Sequence, residues 1–158
     1  MNDGGTQPGL HVGDMAPDFS LPNQFGEPIS LSGLRGAPVA IVFYPFAFSG
    51  ICTGELCELR DNFAEFAEAG VRLLAISVDT KYTLRAYAEA EDYNFDLLAD
   101  FWPHGAVASA YGAFDPVRGM AGRSTLIITA EGVIADMFAT PTGQARPLER
   151  YRRALERL

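Results

Sequence analysis

A chain of 158 residues can enclose one sizeable core without a covalent staple, and two cysteines are too few for a secreted disulfide scaffold. Twelve Lys and Arg against twenty Asp and Glu leave a net charge of -8, so the positive footprint that duplex nucleic acid requires is missing. The opening MNDGGTQPGLHVGD has no basic flank or apolar centre, and apolar stretches are only strand length, which argues against a signal peptide and a membrane span and sets the expectation of a cytosolic protein.

Residues 1–9 read as a flexible N-terminus and 10–158 as one domain. APDFSL and, beyond NQFGEP, ISLSGL are bounded by Gly and Pro and predict two short strands or extended pieces. The run Val39 to Tyr44 is continuously apolar, as a strand covered on both faces requires. From Gly50 the period changes: Leu56, Leu59, Phe63 and Phe66 recur at three and four, predicting a helix ended by Gly70. VRLLAISV at 71–78 reads as a second buried strand and LRAYAEAEDY at 84–93 as a second helix. FDLLADFWPHG is mixed and turn-like, VASAYGAF has the look of a short helix, and TLIIT and VIADMF flank AEG as in a tight hairpin. The tail LERYRRALERL alternates charge at helical spacing, with Leu148, Tyr151, Leu155 and Leu158 along one stripe, and is expected to dock as a helix.

Two parallel strands need the intervening helix as a crossover, and the hairpin adds antiparallel strands. The order therefore predicts an α/β fold of thioredoxin-like architecture, with a mixed central sheet flanked by helices; flavodoxin-like folds begin in the same way.

PFAFSGICTGELC at 45–57 holds both cysteines. Cys52 falls where the buried strand gives way to a helix, with Ser49 at the N-cap and Cys52 third in the helix. Free N–H groups and the helix dipole favour a thiolate there. A metal site would need more ligands, and His11 and His104 are distant in sequence. Residues five apart on an intact helix have Cα atoms roughly 8.6 Å apart, beyond the reach of a disulfide, so Cys52 and Cys57 can join only if the helix unwinds. Glu55 stands three past Cys52, where a dithiol exchanger would carry its second cysteine. Two ordinary core cysteines remain the plain alternative.

PFAFSGIC resembles the Pro-x-x-x-Ser/Thr-x-x-Cys motif of the peroxiredoxins, cysteine-based peroxide reductases on a thioredoxin-like fold. APDFSL, AIVFYP, ELCELRDNFAEF, FDLLAD, AYGAF and GRSTLII follow in that family's order, so the resemblance spans residues 10–158 and includes the family's N-terminal extension. ICTGELCELRD with DFWPHGAVASAYG is most similar to the one-cysteine group called alkyl hydroperoxide reductase E, while Cys57 stands where bacterioferritin-comigratory, or Q-type, peroxiredoxins keep a resolving cysteine.

The resemblance implies roles residue by residue. Cys52 is the peroxidatic cysteine, Pro45 its screen from water, Ser49 the hydroxyl that bonds thiolate and peroxide, Arg123 the guanidinium of the pocket, and Glu55 the acid that orients the arginine. Cys57 is the resolving cysteine. A peroxide substrate, a thioredoxin or glutaredoxin-like reductant and a homodimer as one permitted assembly are implied; no cofactor, metal, nucleic acid or membrane is. A one-cysteine cycle recycled by a glutaredoxin-like protein or a small thiol is the alternative, and a thioredoxin-like binding or holdase protein is the non-enzymatic one. Taken singly, Pro45 ends a strand, Ser49 caps a helix, Arg123 is a solvated charge and Glu55 a first-turn acid. Phe46 and Phe48 read as pocket wall or dimer contact, and Trp102, Pro103 and His104 as a loop packed on the active-site wall, His104 without an acid-base role.

Overall fold

The computed structural model describes residues 9–158, so the expected flexible N-terminus lies outside the described residues apart from Gly9. A short hairpin of β1 (Ser20–Pro22) and β2 (Pro28–Ser30) opens the fold. The apolar run then forms β3 (Val39–Phe43), buried at every position. It is followed by α1 (Gly50–Asp61), α2 (Phe63–Glu68), β4 (Arg72–Ser77), α3 (Lys81–Glu91), β5 (Asp96–Ala99) and α4 (Ala106–Ala110). A two-residue ladder, β6 (Phe114–Asp115) with β7 (Met120–Ala121), precedes the hairpin β8 (Arg123–Ile128) and β9 (Ile134–Thr140), and α5 (Leu148–Leu155) closes the chain.

The central sheet has the order β5-β4-β3-β8-β9. β3, β4 and β5 are parallel, while β8 runs against β3 and β9 against β8, the mixed sheet expected from the element order. Alternation along β3 divides the core. Ala40, Val42 and Tyr44 face α1, α2, α3 and α5 through Cys52, Leu56, Phe66, Leu84, Tyr87 and Tyr151. Ile41 and Phe43 face the N-terminal segment and α4 through Phe19, Leu21, Leu31, Ala108 and Tyr111. Each such large side chain contributes about 1.5–3 kcal/mol on burial.

Four local expectations change. FDLLAD is not turn-like: it forms β5, paired in register with β4 from Leu74 opposite Asp96, and its burial on both faces removes the alternation that would mark a strand. The helix from Gly50 divides at Asn62, whose side-chain amide donates to the Glu58 carbonyl at 2.9 Å; Gly70, at φ +72°, ends the second part. Of VASAYGAF only residues 107–110, the last four of α4, are helical, and Phe114 belongs to β6. Leu158 lies beyond α5 and is 44% exposed, so it is not on the buried stripe with Tyr151.

β5 is an edge strand, and one side chain covers part of it. The Gln24 amide donates to the Phe95 carbonyl at 3.1 Å and accepts from the Leu97 N–H at 2.9 Å, standing in for a neighbouring strand. Among the described residues no helix is long and apolar enough to cross a membrane.

Candidate active site

β3 delivers the chain into a tight loop. Tyr44 and Pro45 are buried, and the Ala47 N–H donates to Asp79 Oδ2 at 2.8 Å, the same carboxylate oxygen that accepts from Ser77 Oγ at 2.6 Å. Phe48 takes a left-handed backbone, φ +67°, with its ring 4.8 Å from that of Tyr87 although the residue is 54% exposed. That conformation costs a non-glycine residue about 1 kcal/mol or more. Ser49 then returns to extended geometry at the N-cap, and its carbonyl accepts from the Thr53 N–H at 2.9 Å. Its hydroxyl does not cap the helix: it donates to the Phe46 carbonyl at 3.0 Å.

Cys52 is therefore the third residue of α1, as the sequence predicts, and it is fully buried beside Tyr44 and Leu56. Both cysteines are free thiols on one unbroken helix. Cys57, partly buried, turns away toward α3, where its Sγ lies 3.4 Å from Glu91 Oε1 and 3.7 Å from the Tyr93 hydroxyl.

Glu55, three residues past Cys52, is buried between two guanidiniums. Arg123, at the start of β8, donates Nη1 to Oε1 at 2.7 Å and Nε to the Thr142 carbonyl at 2.6 Å. Arg146, in the loop before α5, donates Nη2 to Oε1 and Nε to Oε2, both at 3.0 Å, and its backbone N–H also reaches Oε2. Its Nη1 continues to the Ser124 carbonyl at 2.9 Å and Thr125 Oγ1 at 3.1 Å, and the Thr125 hydroxyl donates to that of Tyr151 at 3.2 Å. Burial opposes ionisation of Glu55, but the hydrogen bonds and charge of Arg146, joined by the charge of Arg123, outweigh it and hold the carboxyl below its ordinary range. Burial likewise opposes the charge on Arg146, yet its pKa is raised, through Tyr151, Glu55 and Cys52 around it.

Arg123, though buried, also lines a pocket of about 300 Å³ with Pro45, Phe46, Ser49, Ile51 and Thr142. A cleft of about 390 Å³ lies elsewhere, between Phe25, Phe63, Phe95 and Arg72; neither cysteine lines either opening, Cys52 being fully buried, and the smaller pocket is the one that carries Pro45, Ser49 and Arg123. The structure thus gathers Pro45, Ser49 and Arg123 around one opening, with Glu55 behind Arg123 and Cys52 next in chain after Ile51. The solvated-charge alternative for Arg123 fails, since the side chain is buried and ion-paired.

Trp102 departs from expectation. It is 78% exposed and lines a separate groove with Pro22, Lys81, Tyr82 and Phe101, while His104 Nε2 bonds the Gly119 carbonyl at 2.8 Å, so this loop does not wall the Pro45–Arg123 pocket. Arg146 is the residue that sequence reasoning missed. Its signal was an arginine directly before Pro147 in an otherwise turn-like stretch, which is too common to single out.

A thioredoxin-like sheet that presents a buried cysteine in the first turn of a helix, beside an arginine-lined pocket, defines a domain for thiol chemistry. The chain belongs to the AhpC/TSA family, whose model matches residues 12–137. It is 43% identical over 150 residues to alkyl hydroperoxide reductase E of Mycobacterium tuberculosis, covering 94% of this chain and 98% of that protein. It is 38% identical over 137 residues to peroxiredoxin Bcp of Escherichia coli, covering 82% and 85%. The crystal structure of Enterococcus faecalis AhpC superposes with a TM-score of 0.85 at 28% identity, over 92% of this chain and 90% of that one. The resemblance to the peroxiredoxins and the thioredoxin-like fold are both borne out, as are likenesses to the two subgroups named from the sequence.

Proposed function

We propose that Cys52 is the nucleophile with which this thiol-dependent peroxidase reduces hydrogen peroxide and organic hydroperoxides. The observation that carries the assignment is the double position of Arg123, which lines the pocket with Pro45 and Ser49 while its guanidinium is held by Glu55, three residues past Cys52. The Cys52 thiolate attacks one peroxide oxygen in line. The sulfur–oxygen bond forms as the oxygen–oxygen bond breaks, giving a Cys52 sulfenic acid, and the departing oxygen takes a proton to leave as water or an alcohol. Negative charge grows on that oxygen, and Arg123 meets it from a position fixed in advance, a form of stabilisation worth several kcal/mol. Pro45 keeps competing water from the sulfur. Ser49 turns its hydroxyl from the Phe46 carbonyl to thiolate and peroxide when substrate enters. The apolar edges of Phe46 and Ile51 suit the tail of an organic hydroperoxide.

Recycling is assigned to Cys57, which attacks the sulfenic acid to form an internal disulfide that a thioredoxin-type dithiol then reduces. The first turns of α1 must unwind for this, because an intact helix holds the Cα atoms roughly 8.6 Å apart; Gly50 and Gly54 lower that cost by about 1 kcal/mol each relative to alanine. The unbroken α1, on which both thiols are free, favours a second reading, in which Cys57 stays reduced and a glutaredoxin-like protein or small thiol reduces Cys52 directly. The functional unit is the single domain 10–158, working in a reducing compartment such as the cytosol, where free thiols persist. Phe46 and Phe48 form the face open to a second copy.

One experiment tests both levels. Wild type and Cys57→Ser receive one equivalent of hydrogen peroxide, followed by rapid alkylation and non-reducing peptide mapping. The expected products are a Cys52–Cys57 link in wild type, two mass units below the dithiol form, and a trapped sulfenic acid in the variant. Sulfenic acid accumulating in wild type with Cys57 fully alkylated overturns the internal route and leaves the nucleophile standing; an unoxidised Cys52 overturns the nucleophile.

A further inference from the structure

We infer that Glu91 and Tyr93 form a thiol-activating pair around Cys57, Glu91 taking the proton from its thiol while the Tyr93 hydroxyl donates to the sulfur; this rests on the internal route proposed above. The end of α3 builds the pair. Asp92 takes a left-handed backbone, φ +55°, and the Tyr93 N–H returns to the Ala88 carbonyl at 3.0 Å, so that the residues on either side of Asp92 both reach back to α1. Arg60, one turn after Cys57, donates to the Glu91 carbonyl at 2.6 Å and fastens the two helices together at this point.

The contacts assign direction. The Cys57 thiol donates to Glu91 Oε1 at 3.4 Å. Tyr93, 3.7 Å away, is kept protonated first by burial and then by its hydrogen bonds with Tyr87 and Cys57, so it remains a donor when the sulfur turns to thiolate. The ionisable groups around Cys57 are Glu91 and Tyr87 on α3, Tyr93 just past it, and Arg60 on α1. Arg60 supplies positive charge, and Glu91 is the carboxylate in contact with the sulfur.

The anchoring also assigns motion. Cys57 is held from the side by α3, and Arg60 beside it by the Glu91 carbonyl, whereas the first turn of α1 has no side-chain cap and opens once the Thr53 hydroxyl parts from that of Tyr87, 3.0 Å away. Cys52 is accordingly the partner that travels. With the sulfenic acid brought alongside, the proton moves from Cys57 Sγ to Glu91, and the thiolate attacks the Cys52 sulfur. The sulfur–sulfur bond forms as the sulfur–oxygen bond breaks. Hydroxide leaves and takes the proton back from Glu91 as water, so two thiol-derived electrons close the disulfide and no other reductant is consumed.

The test uses the full chain as wild type, Glu91→Gln and Tyr93→Phe, each given one equivalent of hydrogen peroxide, quenched with an alkylating reagent at intervals and weighed intact between pH 6 and 9. Cys52 oxidation is expected at the wild-type rate in all three. Disulfide formation slows about tenfold or more in Glu91→Gln at pH 7, the deficit shrinking as pH rises and solvent base takes over. In Tyr93→Phe it slows about threefold, the loss of one modest hydrogen bond to the sulfur. A purely structural role would lower the rate without altering its pH profile, and Glu91→Asp, which retains the carboxylate, should recover part of it. Closure at the wild-type rate and with the wild-type pH profile in Glu91→Gln overturns this inference alone. Wild type that forms no Cys52–Cys57 link overturns the internal route and this inference with it.

Discussion

Arg146 and Glu55 are 91 residues apart in the chain and meet in the interior through two side-chain hydrogen bonds of 3.0 Å and a third from the Arg146 backbone. The pair joins the loop before α5 to the helix that carries Cys52, and it fixes the carboxylate that Arg123 leans on. Replacing Arg146 by Met leaves a buried Glu55 with one cation in place of two. Breaking such a pair costs about 3 kcal/mol or more, so urea unfolding should shift strongly, and peroxide reduction should slow as the carboxylate that holds Arg123 loses its own anchor. An Arg146→Met protein with wild-type stability and rate would remove the network from any part in folding or catalysis.

Cys52→Ala should abolish peroxide reduction and retain the fold, since it removes the proposed nucleophile and only one sulfur from a core cluster that keeps Tyr44, Leu56 and Tyr87. Peroxide competition measures the first effect and circular dichroism the second. Turnover at the wild-type rate in this variant would end the assignment of Cys52.

Arg123→Met should lower the second-order rate with peroxide by about tenfold or more, equivalent to at least about 1.4 kcal/mol of transition-state stabilisation. Arg123→Lys should restore only part of it, because an ammonium cannot serve Glu55, the Thr142 carbonyl and the leaving oxygen with one planar fork. Stopped-flow kinetics on the three proteins settles the order; a lysine variant as fast as wild type would show that charge alone suffices.

Acid should weaken the fold in a defined window. Glu55 is held below its ordinary value of 4.5, burial being outweighed by the hydrogen bonds of Arg146, and Asp136 below 3.8 by the hydrogen bonds of Arg150 at 2.7 and 3.1 Å. A carboxyl with a depressed folded pKa lends stability in full above its unfolded value and loses it as pH falls through the folded one. Urea midpoints should therefore be insensitive to these groups near neutrality and fall below about pH 4.5. Glu55→Gln should flatten that fall; an unchanged acid slope would mean the carboxyl is not ionised in the fold.

Much of the scaffold and part of the site were legible because their causes are local. Val39–Phe43 is an unbroken apolar run, the helix after Gly50 repeats at three and four, and Cys52 lies where one pattern hands over to the other. Arg123 and Glu55 entered only through likeness to a family, since nothing near either residue in sequence foretells that they touch. Arg146 did not enter at all: its partners are distant in the chain, and arginine near a proline carries no periodic mark. β5 escaped for the opposite reason, being so short and so evenly buried that neither period can register. The Ser49 hydroxyl was expected at the helix end and bonds the Phe46 carbonyl, a choice made by loop geometry rather than by residue type.

Gln24 has a consequence for how copies of this protein meet. The exposed margin of a sheet is a template on which a further strand can grow, and growth of that kind ends in fibres or in runaway association. By occupying the outward carbonyl of Phe95 and the outward N–H of Leu97, one amide leaves an incoming backbone no pair of groups to register against at that point. Main-chain pairing is thereby blocked at the start of the β5 margin, and a partner approaching at that point meets a side chain in place of free backbone.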